Sequence, residues 1–317
     1  MNGKEEEQGS GRSFARKGET EFSELCDDGM AITYNNLYLD IRQQLKRSGI
    51  EAATLEAREL VCFGTDKTRD ELTRDGSLYV APATEARVRA LVDRHLAGEP
   101  VAYLIGEWEF YGLPLDISDD VLIPRPDTEV LAEQAIEYVR TLGECRVLDL
   151  CAGSGCIGLA VASQAPETRV VLGEYSDAAL RVCRQNIRRN GLSGRVVPMH
   201  ADALEKPEKA LGEFRCIVSN PPYIPSADIA GLDASVRDYE PHLALDGGED
   251  GLDFYRAIVD KWTDALVPGG RLYFEVGIGQ ADSVLRIMRA KGFGDIQIVK
   301  DPAGIPRVVF GTLMEEV

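Results

Sequence analysis

The chain has 317 residues, 44% hydrophobic and 28% charged, with 35 basic side chains against 53 acidic ones and a formal charge of −18. This composition excludes wholesale disorder, and the length suits one large domain with a small one, at roughly 100–200 residues per domain. The acidic balance disfavours nucleic acid as a partner, because backbone binding is driven by cationic contacts.

Residues 1–33 hold eight acidic and four basic side chains with little apolar periodicity, and are expected to form a disordered acidic tail. They carry no apolar signal-peptide core and are too acidic for a transit peptide. No run approaches the ~18 apolar residues of a membrane span. A cytoplasmic protein with no membrane partner is expected.

From residue 34 to 100 the period is helical. Leu37, Ile41 and Leu45 form one stripe, ending at Ser48-Gly49. Leu55, Ala57, Leu60 and Val61 form a second over 52–63, and Val88, Leu91, Val92 and Leu96 a third over 84–97. These predict a small all-α domain. Residues 101–122, with Tyr103, Gly106, Trp108, Phe110, Tyr111 and Gly112, predict a β-hairpin connector, in which Trp108 packs the hairpin. The loop Ile123-Pro124-Arg125-Pro126-Asp127-Thr128-Glu129 follows. Its prolines hold it extended, Arg125 braces it, Asp127 or Thr128 caps the next helix, and Glu129 is a first-turn acid. Beyond it strand and helix alternate to the C-terminus. The fold class expected for 123–317 is therefore α/β, a doubly wound Rossmann-like domain.

The first strand of that domain runs into Asp149-Leu150-Cys151-Ala152-Gly153-Ser154-Gly155-Cys156-Ile157-Gly158. Glycines at a strand's carboxyl end let the backbone turn sharply beside a nucleotide, so Gly153 and Gly155 are candidate ligand contacts. Read as GxGxxG alone, the loop also admits a nicotinamide-dependent dehydrogenase. Glu174 ends the second strand, where a carboxylate can accept both ribose hydroxyls of either ligand. Two acids favour S-adenosylmethionine. Asp149 would face its cationic amino-acid end and would be awkward beside a pyrophosphate. Asp202 follows the third strand, suitably placed for an adenine amino group. Loop capping is the plainer role for both.

The fourth strand ends in Asn220-Pro221-Pro222-Tyr223. A diproline removes two N–H donors and cannot continue a sheet. The Asn220 side-chain oxygen and the Pro221 carbonyl can then accept both protons of one ligand NH₂ group. Such a nitrogen, freed of its conjugation, can receive a methyl group in line, with Tyr223 stacked on the planar substrate. The seven cysteines are scattered, with no CxxC pair, and are read as reduced thiols. None of the three histidines has metal-ligand spacing; His95 is expected on a helix surface, and His200 and His242 in loops.

With these motifs in register the chain resembles, over about 35–315, the HemK family of protein-(glutamine-N5) methyltransferases, which modify peptide chain release factors. The likeness rests on the hairpin 106–112, the loop 122–129, the glycine loop, and Asn220 to Tyr223. It also rests on Tyr239-Glu240-Pro241-His242 with its continuation to Asp253, and on Phe274-Glu275-Val276-Gly277 with Gln280. The resemblance implies S-adenosylmethionine as methyl donor and the glutamine of a Gly-Gly-Gln loop in class 1 release factors as substrate. It implies that Asn220, Pro221, Pro222 and Tyr223 hold that glutamine, that Phe110 lines its pocket, and that the helical domain docks the release factor. Asn220 to Tyr223 alone is shared with adenine amino-methyltransferases of DNA and RNA; a non-catalytic adaptor is the remaining alternative. Gly173-Glu174-Tyr175 and the acidic tail depart from the family pattern.

Overall fold

The computed structural model describes residues 31–315. Residues 1–30 of the expected tail, Cys26 among them, lie outside the described residues. Ile32 and Thr33 belong to the fold: the Ile32 carbonyl accepts from Val80 N–H at 2.8 Å, and Thr33 bridges Tyr79. The Thr33 hydroxyl also caps the first helix by accepting from Asn36 N–H.

The N-terminal helices are α1 (Tyr34–Arg47), α2 (Ala53–Thr65), α3 (Arg69–Arg74), α4 (Pro82–Leu96) and α5 (Val101–Ile105). Their apolar stripes meet in one core built on Leu37, Ile41, Leu45, Leu60, Val61, Val88 and Val92. Leu55, placed on the buried face by periodicity, is exposed. The short α3 is held by a reciprocal cap in which the Thr68 hydroxyl accepts from Glu71 N–H and the Glu71 carboxylate accepts from Thr68 N–H. α5 replaces the first part of the predicted connector: Pro100 opens it, and Gly106 closes it at φ 75°. Tyr103 is thus helical, and its hydroxyl donates to the Val121 carbonyl at 2.8 Å. His95 is half-buried, its ring nitrogens 2.9 Å from the Glu99 carbonyl and 3.1 Å from the Glu56 carboxylate. Burial pulls its pKa down, but these two acceptors outweigh burial and raise it.

The hairpin is β1 (Glu107–Phe110) and β2 (Leu113–Asp116), joined by Tyr111 and Gly112, both at positive φ as a tight two-residue turn requires. It is docked rather than free. Glu129 accepts from Tyr111 N–H at 2.8 Å, and Asn186 exchanges hydrogen bonds with both backbone groups of Asp116. Trp108 touches both the helical core and the large core.

The large domain contains α6 (Thr128–Arg140), β3 (Cys145–Leu150), α7 (Cys156–Gln164), β4 (Thr168–Glu174), α8 (Asp177–Arg189), β5 (Val196–His200), β6 (Phe214–Ser219), a four-residue turn of helix α9 (Ala234–Arg237), α10 (Asp253–Lys261), β7 (Leu266–Glu275), α11 (Ala281–Ala290), β8 (Phe293–Lys300) and β9 (Pro306–Leu313). The sheet order is β5-β4-β3-β6-β7-β9-β8; the first five strands are parallel, and β9 is antiparallel to both neighbours. Strand residues alternate between two cores, as the period of two demands. Val147, Cys216 and Val218 pack with α6, α7 and α8, while Leu148, Leu150 and Ile217 pack with α10 and α11. Asp127 takes the N-cap position of α6, as expected, but its side chain makes no cap bond and pairs instead with Arg307 at 2.8 Å.

Gly158 sets how closely α7 lies on β4. A Cβ there would collide with Leu172 and stand 3.0 Å from Val170 Cγ1 and 3.1 Å from Asp149 Cβ. Gly158→Ala is expected to lower unfolding stability by about 1–3 kcal/mol through overpacking. Chemical denaturation measures this, and an unchanged midpoint would contradict the close packing.

Candidate functional site

A cavity of about 330 Å³ opens at the carboxyl ends of β3, β4 and β6, where open α/β sheets bind ligands. Its floor is the loop Cys151–Ser154. Glu174, Tyr175 and Asp202 form one side, and Asn220 and Pro222 form the other. Val121, Leu122, Pro124, Arg125, Leu243 and Ala244 also line it.

The floor depends on left-handed backbone. Gly153 and Gly155 sit at φ 56° and 83°, and Cys151 adopts φ 64° although it carries a side chain. Glu174 ties this loop down: one oxygen accepts from Gly153 N–H and the other from Ser176 N–H, both at 2.8 Å. Each oxygen retains a lone pair for a hydroxyl donor in the cavity. Asp202 accepts from Leu204 N–H at 2.8 Å, so it caps its own turn while lining the cavity.

Asn220-Pro221-Pro222-Tyr223 is fixed from several sides. The Ser219 hydroxyl donates to the Leu150 carbonyl at 2.6 Å. Ile224 N–H donates to Leu245, and Gly247 N–H returns to Ile224. Gln280 donates to the Tyr223 carbonyl at 2.8 Å while accepting from Gly277 N–H. Gly247 must be glycine here, because a Cβ would stand 2.7 Å from Tyr223 Cα. The motifs at 239–253 and 274–280 therefore act as clamps on one segment.

The predicted residues separate into two groups. Gly153, Glu174, Asp202, Asn220 and Pro222 line the cavity. Asp149, Gly155, Pro221, Tyr223 and Phe110 do not. Gly155 lies one step beyond, as the N-cap of α7. Asp149, expected beside a ligand's cationic end, is fully buried under α7, with one oxygen accepting from Gly158 N–H at 2.8 Å. It points that way because odd positions of β3 face the α7 layer. Phe110 is buried in the large core rather than in the cavity wall, held there by the docked hairpin. The Tyr223 ring packs against Gly277, and burial raises its pKa to about 12.

Three residues contribute roles that the sequence reading left unassigned or mis-set. Thr128 is buried, lines the cavity, and stands within 3.5 Å of the Asn220 amide nitrogen. Glu240, buried, pairs with Arg125 and accepts from Ile123 N–H, which makes Arg125 a brace of its own loop. Glu275 is buried at the end of β7. A lone acid ending an apolar strand was the available signal for Glu275, and an acid inside Tyr-Glu-Pro-His was the signal for Glu240.

The wall chemistry suits S-adenosylmethionine. The Glu174 carboxylate faces the cavity beside apolar Ile157, Ala203 and Leu204, and the buried Ser154 hydroxyl has no partner among the described residues. Among the described residues, no group of three or more His, Cys, Asp or Glu side chains could hold a metal ion, and no helix is long and apolar enough to cross a membrane.

Burial pushes the Asp149 carboxyl up to about 7, the Gly158 N–H opposing and Glu174 reinforcing that shift. A raised folded-state pKa means that unfolding releases the proton between about pH 4 and 7, so stability falls as pH rises through that window. Asp149→Asn should therefore gain melting temperature relative to the native chain as pH goes from 5 to 8. A difference independent of pH would contradict the shift.

Comparison with known proteins places the chain in a family. The family model "Methyltransferase small domain" matches residues 128–233, and "PrmC N-terminal domain" matches 36–106. The release factor glutamine methyltransferase of Geobacter sulfurreducens is 43% identical, the match covering 86% of this chain and 94% of that protein. The enzyme of the same name from Moorella thermoacetica is 39% identical, covering 86% and 96%. Among solved structures, the hMettl16 catalytic domain in complex with MAT2A 3'UTR hairpin 6 superposes with a TM-score of 0.52 at 15% identity, covering 65% of this chain and 78% of that one, a likeness of fold alone. On the strength of these relatives and of the cavity, the chain is an S-adenosylmethionine-dependent methyltransferase and belongs to the release factor glutamine methyltransferase family.

Proposed function

We propose that the chain methylates the side-chain amide nitrogen of the glutamine in the Gly-Gly-Gln loop of a class 1 release factor. The observation that carries this is the clamped Asn220-Pro221-Pro222-Tyr223 segment at the edge of the donor cavity. An amide nitrogen is a poor nucleophile because its lone pair is delocalised into the carbonyl. Asn220 Oδ1 and the Pro221 carbonyl accept its two hydrogens and let the nitrogen pyramidalise. Both acceptors strengthen their hold as positive charge grows on nitrogen, and both are in place before the reaction. S-adenosylmethionine supplies an electrophilic methyl group on a sulfonium.

Glu174 and Asp202 hold the donor's ribose and adenine ends in this reading, and Gly153 and Gly155 allow its close approach. Asp149 serves from beneath, tying the start of α7 to the end of β3. Pro221, Pro222 and Tyr223 stiffen the segment, and Phe110 seats the hairpin. The helical domain, 34–100, is the docking element for the release factor, and the chain's acidity fits a protein partner better than nucleic acid.

The experiment incubates the protein with labelled S-adenosylmethionine and a release factor, and maps the label by mass spectrometry. Label on the Gly-Gly-Gln glutamine, absent when that glutamine is alanine, is the expected result. Label on a duplex DNA supplied in parallel would overturn the reading. Asn220→Ala should lower kcat by about 10²-fold or more while leaving donor affinity nearly unchanged. Near-native turnover would remove Asn220 from the mechanism.

A further inference from the structure

The side-chain amide of Asn220 has two ends of nearly equal shape and opposite hydrogen-bonding character. Its oxygen serves an incoming NH₂ group, whereas its own NH₂ would repel one. Something behind Asn220 must therefore select the flip. The sheet places a candidate there. β6 and β7 are parallel neighbours with Ser219, the last residue of β6, opposite Phe274; Glu275 ends β7 one residue on, and Asn220, the first residue past β6, lies close enough to interact with its carboxylate. Thr128, the first residue of α6, is 2% exposed, with its hydroxyl 3.5 Å from Asn220 Nδ2. Glu275 is 3% exposed, and its Oε2 has no hydrogen-bond partner among the described residues.

We infer that Glu275, acting with Thr128, sets the direction of the Asn220 amide and is a positioning residue for methyl transfer; this rests on the glutamine reading above. Above pH about 7, where Glu275 is ionised, its carboxylate is acceptor-only. The Thr128 hydroxyl donates its one proton toward Glu275 and keeps its lone pairs for Asn220 Nδ2. The Asn220 oxygen is thereby left facing the cavity. A buried acceptor with an unfilled site makes the reverse flip costly, since that flip would turn a second oxygen toward Thr128 and Glu275. Burial raises the Glu275 pKa to about 7, while the Thr128 hydroxyl, Arg307 and the Asn220 amide favour the ionised form and Asp127 opposes it. Tyr223, Tyr255 and Cys156 complete its titratable surroundings. Arg307 is occupied by Asp127 and Asp301, so Glu275 is not simply the partner of a salt bridge.

The test uses Glu275→Gln, which keeps the shape but presents a donor. Expected are a kcat on release factor about tenfold lower or more, donor affinity within twofold of native, and no loss of melting temperature. Thr128→Val should behave likewise, and the double variant should be no slower than the slower single one, because both act through one contact chain. A second readout needs no substrate. Exchange of the Asn220 side-chain NH₂ protons, followed by nuclear magnetic resonance and assigned by their loss in Asn220→Ala, should be slow in the native protein and faster in Glu275→Gln. A Glu275→Gln turnover within twofold of native, or an unaltered exchange rate, would overturn the inference. A native protein that leaves the release factor unlabelled would overturn the glutamine reading alone, and the exchange measurement would still decide the role of Glu275.

Discussion

Two successive prolines at the end of β6 remove the N–H donors that would have continued the strand, and the site depends on how that interruption is stabilised. Just past the end of the strand, Asn220 lines the cavity. Such a segment would wander unless other backbone held it. Here Ser219 anchors it to β3, the 245–247 loop pairs with Ile224, and Gln280 grips the Tyr223 carbonyl. Contacts from Leu150, the 245–247 loop and Gln280 thus converge on one short segment. The gain is preorganisation: acceptors set before the substrate arrives cost no reordering when charge develops.

A second theme is the number of acids placed out of water. Asp149, Glu240 and Glu275 are all buried in a chain that already carries a charge of −18. Each is spent on orienting something. Asp149 holds the N–H of Gly158, Glu240 holds Arg125 and the Ile123 N–H, and Glu275 stands behind Thr128 and Asn220. Burial of a carboxylate opposes folding, and it lifts the pKa of Asp149 and of Glu275 to about 7. Stability is given up around the cavity for geometry within it.

Much of this was legible in the sequence, and what was missed has physical causes. Alternating strand and helix patterns gave the sheet domain, since a parallel strand buried on both faces reads as a short apolar run. That Gly153, Glu174, Asp202 and Asn220 come to line one cavity follows from their places at the ends of neighbouring strands. The burial of Asp149 under α7 was not legible, because composition cannot tell which face of β3 an odd position occupies. Phe110 lies in the large core, because the hairpin is pinned by Glu129 and Asn186, residues far from it in sequence, which no local pattern shows. The helices α3 and α5 were overlooked: at six and five residues they are too short for a periodic signal, although Thr68-Arg69-Asp70-Glu71 is a readable cap.

The most direct measurement of the central claim is a crystal structure with the demethylated donor product and a Gly-Gly-Gln peptide. The account predicts the glutamine amide nitrogen within about 3.2 Å of both Asn220 Oδ1 and the Pro221 carbonyl oxygen, with the backbone of 219–224 unmoved from its present course. A glutamine whose carbonyl oxygen faces Asn220, or a segment that rebuilds itself around the peptide, would contradict it.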